Sequence, residues 1–207
     1  MKRQLALHLL LVAACVPFGC AREPEVWTPP RIDLHQFGTL GMIEIQSPQG
    51  YGSIASRQFM AAIHSAQPGV PVLELGEMAR VLGSVGQEAM GPEAVRAIGE
   101  KYRVDVVVVG DLEIDSPRPN WSLQSFTEAN ASADIHGSLS ARFCDADSGA
   151  TIWSNEAGGS RSVANLNMSL SARPQFSAVD PEGEQAKLVS WLVGRVTGDF
   201  RGYWARP

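Results

Sequence analysis

Segments of strand and helix character alternate along residues 39–207, and this order predicts an α/β (α+β) layer fold. The expected architecture is a mixed β-sheet of about five strands with packed helices, in the order β-α-β-α-α-β-β-β-α. Three segments carry the prediction. Val104-Asp-Val-Val-Val-Val109 is apolar apart from Asp105, as a central strand covered on both faces should be. Ala131, Ala133, Ile135, Gly137, Leu139, Ala141 and Phe143 alternate with polar residues, which marks a long strand with one dry and one wet face. Glu184 to Phe200 places Leu188, Leu192, Val196 and Phe200 four apart, the spacing of an amphipathic helix lying on the sheet.

The remaining elements follow in order. Gly41 to Gln46 reads as the first strand. Ile54 to Ala66 carries Ala55, Phe59, Ala62, Ile63 and Ala66 at helical spacing, with Ser53 as expected N-cap and Pro68-Gly69 as the stop. Val70 to Leu75 is a second strand. Pro71 cannot donate to a ladder, so it belongs at the start of that strand or on a sheet edge. Glu77 to Leu82 reads as a short helix, and Gly91-Pro92 opens another with Val95, Ile98 and Tyr102 on one face. After the central strand, 114–130 reads as a long loop. Asp145-Ala-Asp-Ser-Gly149 supplies turn residues, and Ala150 to Ser154 returns as the hairpin partner of the alternating strand.

The N-terminus has a different composition. Met1-Lys2-Arg3-Gln4 is followed by an apolar run, Leu5 to Ala14, too short to span a bilayer and interrupted by His8, so residues 1–20 read as an export signal. Leu11-Val12-Ala13-Ala14-Cys15 resembles a lipobox, whose cysteine thiol receives a diacylglycerol. Gly19-Cys20 is the alternative attachment site, preceded less suitably by Pro17 and Phe18. Residues 21–38 read as a Pro-rich tether, and residues 39–207 as a single domain. The first ten tether residues, Ala21 to Pro30, hold three prolines, and in polyproline II form they reach about 30 Å. Trp27 is unusual in such a linker; it either docks on the domain or sits at the bilayer interface.

Composition fits a globular passenger. The chain has 207 residues, 44% apolar and 19% charged, enough for one sizeable core. Its net charge is −5, and loss of Lys2 and Arg3 with the signal makes it more negative still. No basic run is present, so nucleic acid is not an expected partner. Three cysteines, one of them expected to be acylated, do not make a disulfide framework.

Ile98-Gly-Glu-Lys-Tyr-Arg103 leading into Val104 to Gly110, then Leu139 to Phe143, Asp145 to Gly149 and Thr151-Ile-Trp-Ser154 resemble a superfamily of bacterial envelope lipoproteins. That superfamily includes the curli-secretion protein CsgG and the penicillin-binding-protein activator LpoB. The resemblance spans roughly residues 40–200. It implies a lipid-anchored binding or assembly protein on the periplasmic side of the envelope, with the outer membrane the expected one, acting through contacts with other envelope proteins. Secretion-pore members carry extra hairpins that build an oligomeric membrane barrel, which makes a homo-oligomeric pore subunit the alternative. The corresponding segments here are 114–130 and 156–183. Asn165-Leu-Asn-Met-Ser-Leu-Ser-Ala172 alternates like a barrel strand, but Arg173-Pro174 ends it short of the 9–11 residues a spanning strand needs, so an edge strand or loop fits better.

No catalytic constellation emerges, and no cofactor, metal or enzymatic activity is expected; a periplasmic enzyme with a cryptic site is the third reading. His35, His64 and His136 lie far apart without ligand-spaced neighbours. Asp111, Glu113 and Asp115 read as a solvated acidic edge. Asp145, Asp147 and Glu156 match an EF-hand count, but Ala150 replaces the needed glycine, so a hairpin turn is the better reading. Two segments, 115–130 and 155–180, are long for connections and hold Trp121, Phe126 and Phe176 among Ser, Asn and Ala. Those three aromatics are the candidate protein-interaction residues, either as anchors or as lids folded over the sheet.

One measurement decides the anchor. The mature protein is expected to carry a diacylglyceryl cysteine at Cys15, or else at Cys20; an intact mass with an unmodified N-terminus away from both ends that reading.

Overall fold

The computed structural model describes residues 25–116, 118–125, 128–169, 175–178 and 181–205. The chain divides into two units. The smaller holds a two-stranded antiparallel sheet of β1 (Val26–Thr28) and β9 (Tyr203–Ala205). The larger, Pro29–Gly202, holds β2 (Leu40–Ile43), α1 (Gly52–Ala66), β3 (Val72–Gly76), α2 (Met78–Ser84), α3 (Pro92–Tyr102), β4 (Val106–Ile114), β5 (Arg118–Ser125), β6 (Glu128–Asp145), β7 (Thr151–Ser169), β8 (Gln175–Ala178) and α4 (Pro181–Val196). Short 3-10 turns sit at Leu34–Phe37 and Thr197–Phe200.

The main sheet runs β3-β2-β4-β6-β7-β8, with β5 also paired to β6. Its first three strands are mutually parallel, and the rest are antiparallel. The fold is therefore the expected α+β arrangement around a mixed sheet, and no closed barrel forms among the described residues. The five strands legible in the sequence are β2, β3, β4, β6 and β7; β5 and β8 are added to them.

β4 is central, and its valines feed two cores. Val106 and Val108 join Phe59, Ile63, Leu188, Leu192 and Phe200 beneath α1 and α4. Val107 and Val109 join Val81, Val95 and Ile98 beneath α2 and α3. All four valines are at most 2% exposed. Asp105, the one polar residue in that run, accepts the backbone N–H of Thr39 at 2.7 Å and so fixes the approach to β2. On the α1/α4 side Phe143, Trp153 and Phe200 pack with ring centroids 4.6 to 5.6 Å apart, each pair adding about 1 kcal/mol beyond area burial.

Element boundaries differ from the sequence reading where close packing intervenes. α1 starts at Gly52, so Ser53 lies inside the helix and Tyr51 takes the N-cap position without a capping side-chain bond. The reason is proximity to the end of β2: a Cβ on Gly52 would lie 2.1 Å from the Ile45 carbonyl oxygen. Ser56 inside the same helix accepts the N–H of Ile45 at 2.8 Å. β3 is the edge strand, and Pro71 precedes it, its carbonyl accepting from Leu40 at 2.9 Å, as a residue without an N–H should. Within the expected tether, Leu34 is fully buried, and the buried Gln67 accepts its N–H at 2.7 Å while donating to Ile32 and Phe200 carbonyls.

The largest departure is in 115–130 and 155–180. Both read as irregular from the sequence, apart from 165–172, which fits an edge strand or a loop. Instead β5 pairs with β6, β7 continues to Ser169, and β8 pairs with β7. The alternation of 120–124 and of 165–168 is short and has no hydrophobic run behind it, so by itself it does not fix a partner; the ladder offered by the long β6 supplies one.

Val107→Asp and Val108→Asp should each lower unfolding free energy by about 3 kcal/mol or more, since each buries an unpaired charge in a different core. Glu113→Gln, at an exposed position of the same strand, should change it by less than about 0.5 kcal/mol. Denaturant unfolding of the three variants checks this.

Candidate interaction site: the β5–β8 extension

β6 and β7 are 18 and 19 residues long, and their ladder begins in the core. A tight turn closes it. Asp145 accepts both the N–H and the hydroxyl of Ser148, which holds its carboxyl below the usual aspartate range, and Gly149 supplies the left-handed backbone at φ 75°. The EF-hand count in this stretch is thus a hairpin turn, and no grouping able to hold a metal ion occurs among the described residues.

Above the turn, α4 covers one face of β6 and β7. Gly137 and Gly159 let it approach: a Cβ on Gly159 would lie 2.4 Å from the Trp191 ring, and one on Gly137 would lie 3.1 Å from Leu188. The helix is clamped at its start by Glu184, which receives Lys187 Nζ at 2.6 Å and Arg161 at 3.0 Å. The Lys187 hydrogen bond chiefly holds the Glu184 carboxyl below the ordinary glutamate range, partial burial opposes it, and Arg161 adds to the lowering. Trp191 is half-exposed, with the Arg195 guanidinium 5.8 Å from its ring centre.

The opposite face is polar. His136, Arg142, Ser154 and Glu156 are exposed on β6 and β7, as are Asp111 and Glu113 on β4. A shallow depression of about 350 Å³ there is lined by Asp111, Ser140, Arg142, Ser154 and Glu156.

Farther along, a register shift between Ala133 and Asp134 leaves Val163 opposite no β6 residue and marks the start of the extension. Here β5 and β8 flank the long hairpin, and the cross-strand rows separate by chemistry. Pro119, Ala133, Ala164 and Ala178 form one row; Trp121, Ala131, Leu166 and Phe176 form another; Leu123, Ala129 and Met168 a third. Between them lie Asn120, Ser132, Asn165 and Ser177, then Ser122, Asn130, Asn167 and Gln175. Since alternate rows of a pleated sheet share a face, register assigns the apolar rows to one face and the amide and hydroxyl rows to the other. The apolar face continues the β6 face that α4 covers in the core, because Ala129, Ala131, Ala133 and Ile135 keep one parity along the strand.

Of the candidate aromatics, Trp121 and Phe176, read from the sequence in two separate loops, fall in the same row three strands across, about 14 Å apart at ordinary strand spacing. Phe126, Cys15 and Cys20 lie outside the described residues. The sequence reading missed Leu123, Leu166 and Met168 as their companions; the signal was the alternation Asn120-Trp-Ser-Leu-Gln124 matching that of 165–168.

No protein-family model matches the sequence, and no curated protein matches it. Solved structures resemble the fold. A PelC dodecamer subunit from Paraburkholderia phytofirmans is 10% identical over 86% of this chain and 98% of that one, with a TM-score of 0.43. Lipoprotein GNA1162 from Neisseria meningitidis is 16% identical over 78% and 99%, with a TM-score of 0.38. The LpoB C-terminal domain from Salmonella enterica is 8% identical over 59% and 82%, with a TM-score of 0.36. No helix among the described residues is long and apolar enough to cross a membrane.

Glu184 contributes stability with a definite pH dependence. Its folded-state acidity is raised, so the contribution is present above the ordinary glutamate pKa and is lost as pH falls through the lower folded value. Glu184→Gln should therefore lower Tm at neutral pH and match the native chain in strong acid; thermal scans across that range check it.

Proposed function

We propose that this protein is a lipid-anchored assembly protein of the bacterial cell envelope that works by binding other envelope proteins, without turnover, through the apolar face of the β5–β8 extension. The observation that supports this is the row pattern itself. A sheet face built of Trp121, Leu123, Leu166, Met168 and Phe176 beside small alanines is a surface that calls for a cover, and the opposite rows of amides and hydroxyls suit water. The large residues of β5, β7 and β8 in those rows would supply the anchoring contacts. An export signal at residues 1–20 and an acylated Cys15 or Cys20, as the sequence reads, would bring such a surface to the membrane, where its partners would be.

The same rows favour a second reading, an oligomeric outer-membrane pore subunit, because apolar and polar rows alternating across four strands is also the pattern of a barrel wall. Strand length weighs against it. Beyond the register shift β6 runs from 128 to 133 and β7 from 164 to 169, short of the 9–11 residues of a spanning strand.

Substitution on the two faces separates these from a merely structural extension. Leu166→Asp and Trp121→Ala should abolish or strongly reduce crosslinked complexes recovered from envelope membranes, with Tm near that of the native chain. Asn165→Asp, in the adjacent polar row, should leave capture intact. Equal capture by all three, or a large drop in Tm with capture intact, overturns the assignment of the surface. Ring-shaped particles in detergent together with ion conductance in planar bilayers would select the pore.

A further inference from the structure

The β1–β9 ribbon forms a sheet separate from the β5–β8 extension, and it carries four of the most exposed large apolar side chains of the described residues. Val26 is 54% exposed, Trp27 49%, Tyr203 58% and Trp204 64%. Register sets Trp27 directly opposite Trp204, with ring centres 5.3 Å apart and planes tilted by 58°. Val26 and Tyr203 fall at the flanking positions, on the other face of the ribbon. A two-stranded ribbon with three residues on each side is marginal in water by itself, and exposing two indoles and a phenol on it is costly there. The same side chains are favoured where hydrocarbon meets water, because each has an apolar body and one polar tip.

Chain distance brings that boundary to the ribbon. Val26 follows Cys20 by six residues and Cys15 by eleven, so at full extension the ribbon lies at most about 20 Å or about 40 Å from an acylated cysteine. A tether of that length turns a weak second contact with the bilayer into an intramolecular one. A second copy of the chain is the poorer occupant. Two strands of three residues, with apolar groups divided between two faces, offer far less than the roughly 800 Å² per partner of a stable interface.

We propose that the β1–β9 ribbon is an aromatic foot that inserts into the interfacial layer of the lipid bilayer beside the anchor, through Trp27, Trp204 and Tyr203. The ribbon thereby gives the domain a second attachment, near the chain's N-terminal tether and at its C-terminal strand together. This rests on the lipid-anchor part of the proposed function.

The test uses the full mature protein reconstituted in phosphatidylethanolamine/phosphatidylglycerol vesicles whose acyl chains are brominated near the headgroup. The emission assigned to Trp27 and Trp204 is the difference between the native chain and the Trp27→Ser/Trp204→Ser variant. It should fall at least about twofold in brominated relative to plain vesicles, as expected for interfacial indoles. Undiminished difference emission overturns the foot. So does a native mass that drops from oligomer to monomer in the double variant with no quenching, which would assign the ribbon to a second copy. Intact mass of the same preparation reads the acyl group separately. An unacylated chain ends the lipid-anchor reading, and its quenching on added vesicles then decides the foot by the same criterion, present in its favour and absent against it.

Discussion

The pairing register of β6 with β7 is the constraint on which the molecule depends. One ladder sets Phe143 opposite Trp153 in the core and, farther along the same strands, Ala131 opposite Leu166 in the extension. A slip of one residue would turn the aromatic cluster toward the polar face and reverse every row beyond it. The register is held at the closed end by the Asp145–Ser148 turn and in the middle by α4 resting on Gly137 and Gly159. Beyond the register shift at Ala133 the ladder continues with its face assignments already fixed.

β4 supplies the complementary constraint. Its four consecutive valines divide between two cores, so the sheet is sandwiched at that strand. Asp111 and Glu113, the next outward residues on the α2/α3 side, are exposed, which marks where that cover ends. The sheet thus passes from parallel pairing at β3, β2 and β4 to antiparallel pairing at β5 through β8.

The charges refine this arrangement without determining it. Glu184, Arg161 and Lys187 tie the start of α4 to β7. Partly exposed pairs of this kind contribute little to stability. Their geometric effect is the link itself: the Glu184 carboxylate on α4 holds Arg161 of β7 at 3.0 Å.

Much of the fold was legible in the residues. The valine run, the strict alternation of 131–143, the helical spacing of 188, 192, 196 and 200, and Pro92 after Gly91 each specify an element through a local period or a backbone restriction. Pro71, which without an N–H cannot donate to a neighbour, marked either a strand start or a sheet edge, and it stands just before the edge strand β3. The start of α1 was misread because the capping preference of Ser53 is a weak local effect, and contact between Gly52 and the end of β2 outweighed it. What only the tertiary structure decided was pairing. Residues 118–125 and 175–178 have no hydrophobic run of their own, and a short strand forms only when a ladder edge is offered. β6 and β7 offer both edges, and their register, which depends on contacts far apart in sequence, placed Trp121 and Phe176 in one row. The same holds for Trp27 and Trp204, which are 177 positions apart and meet only through the pairing of the strands that carry them.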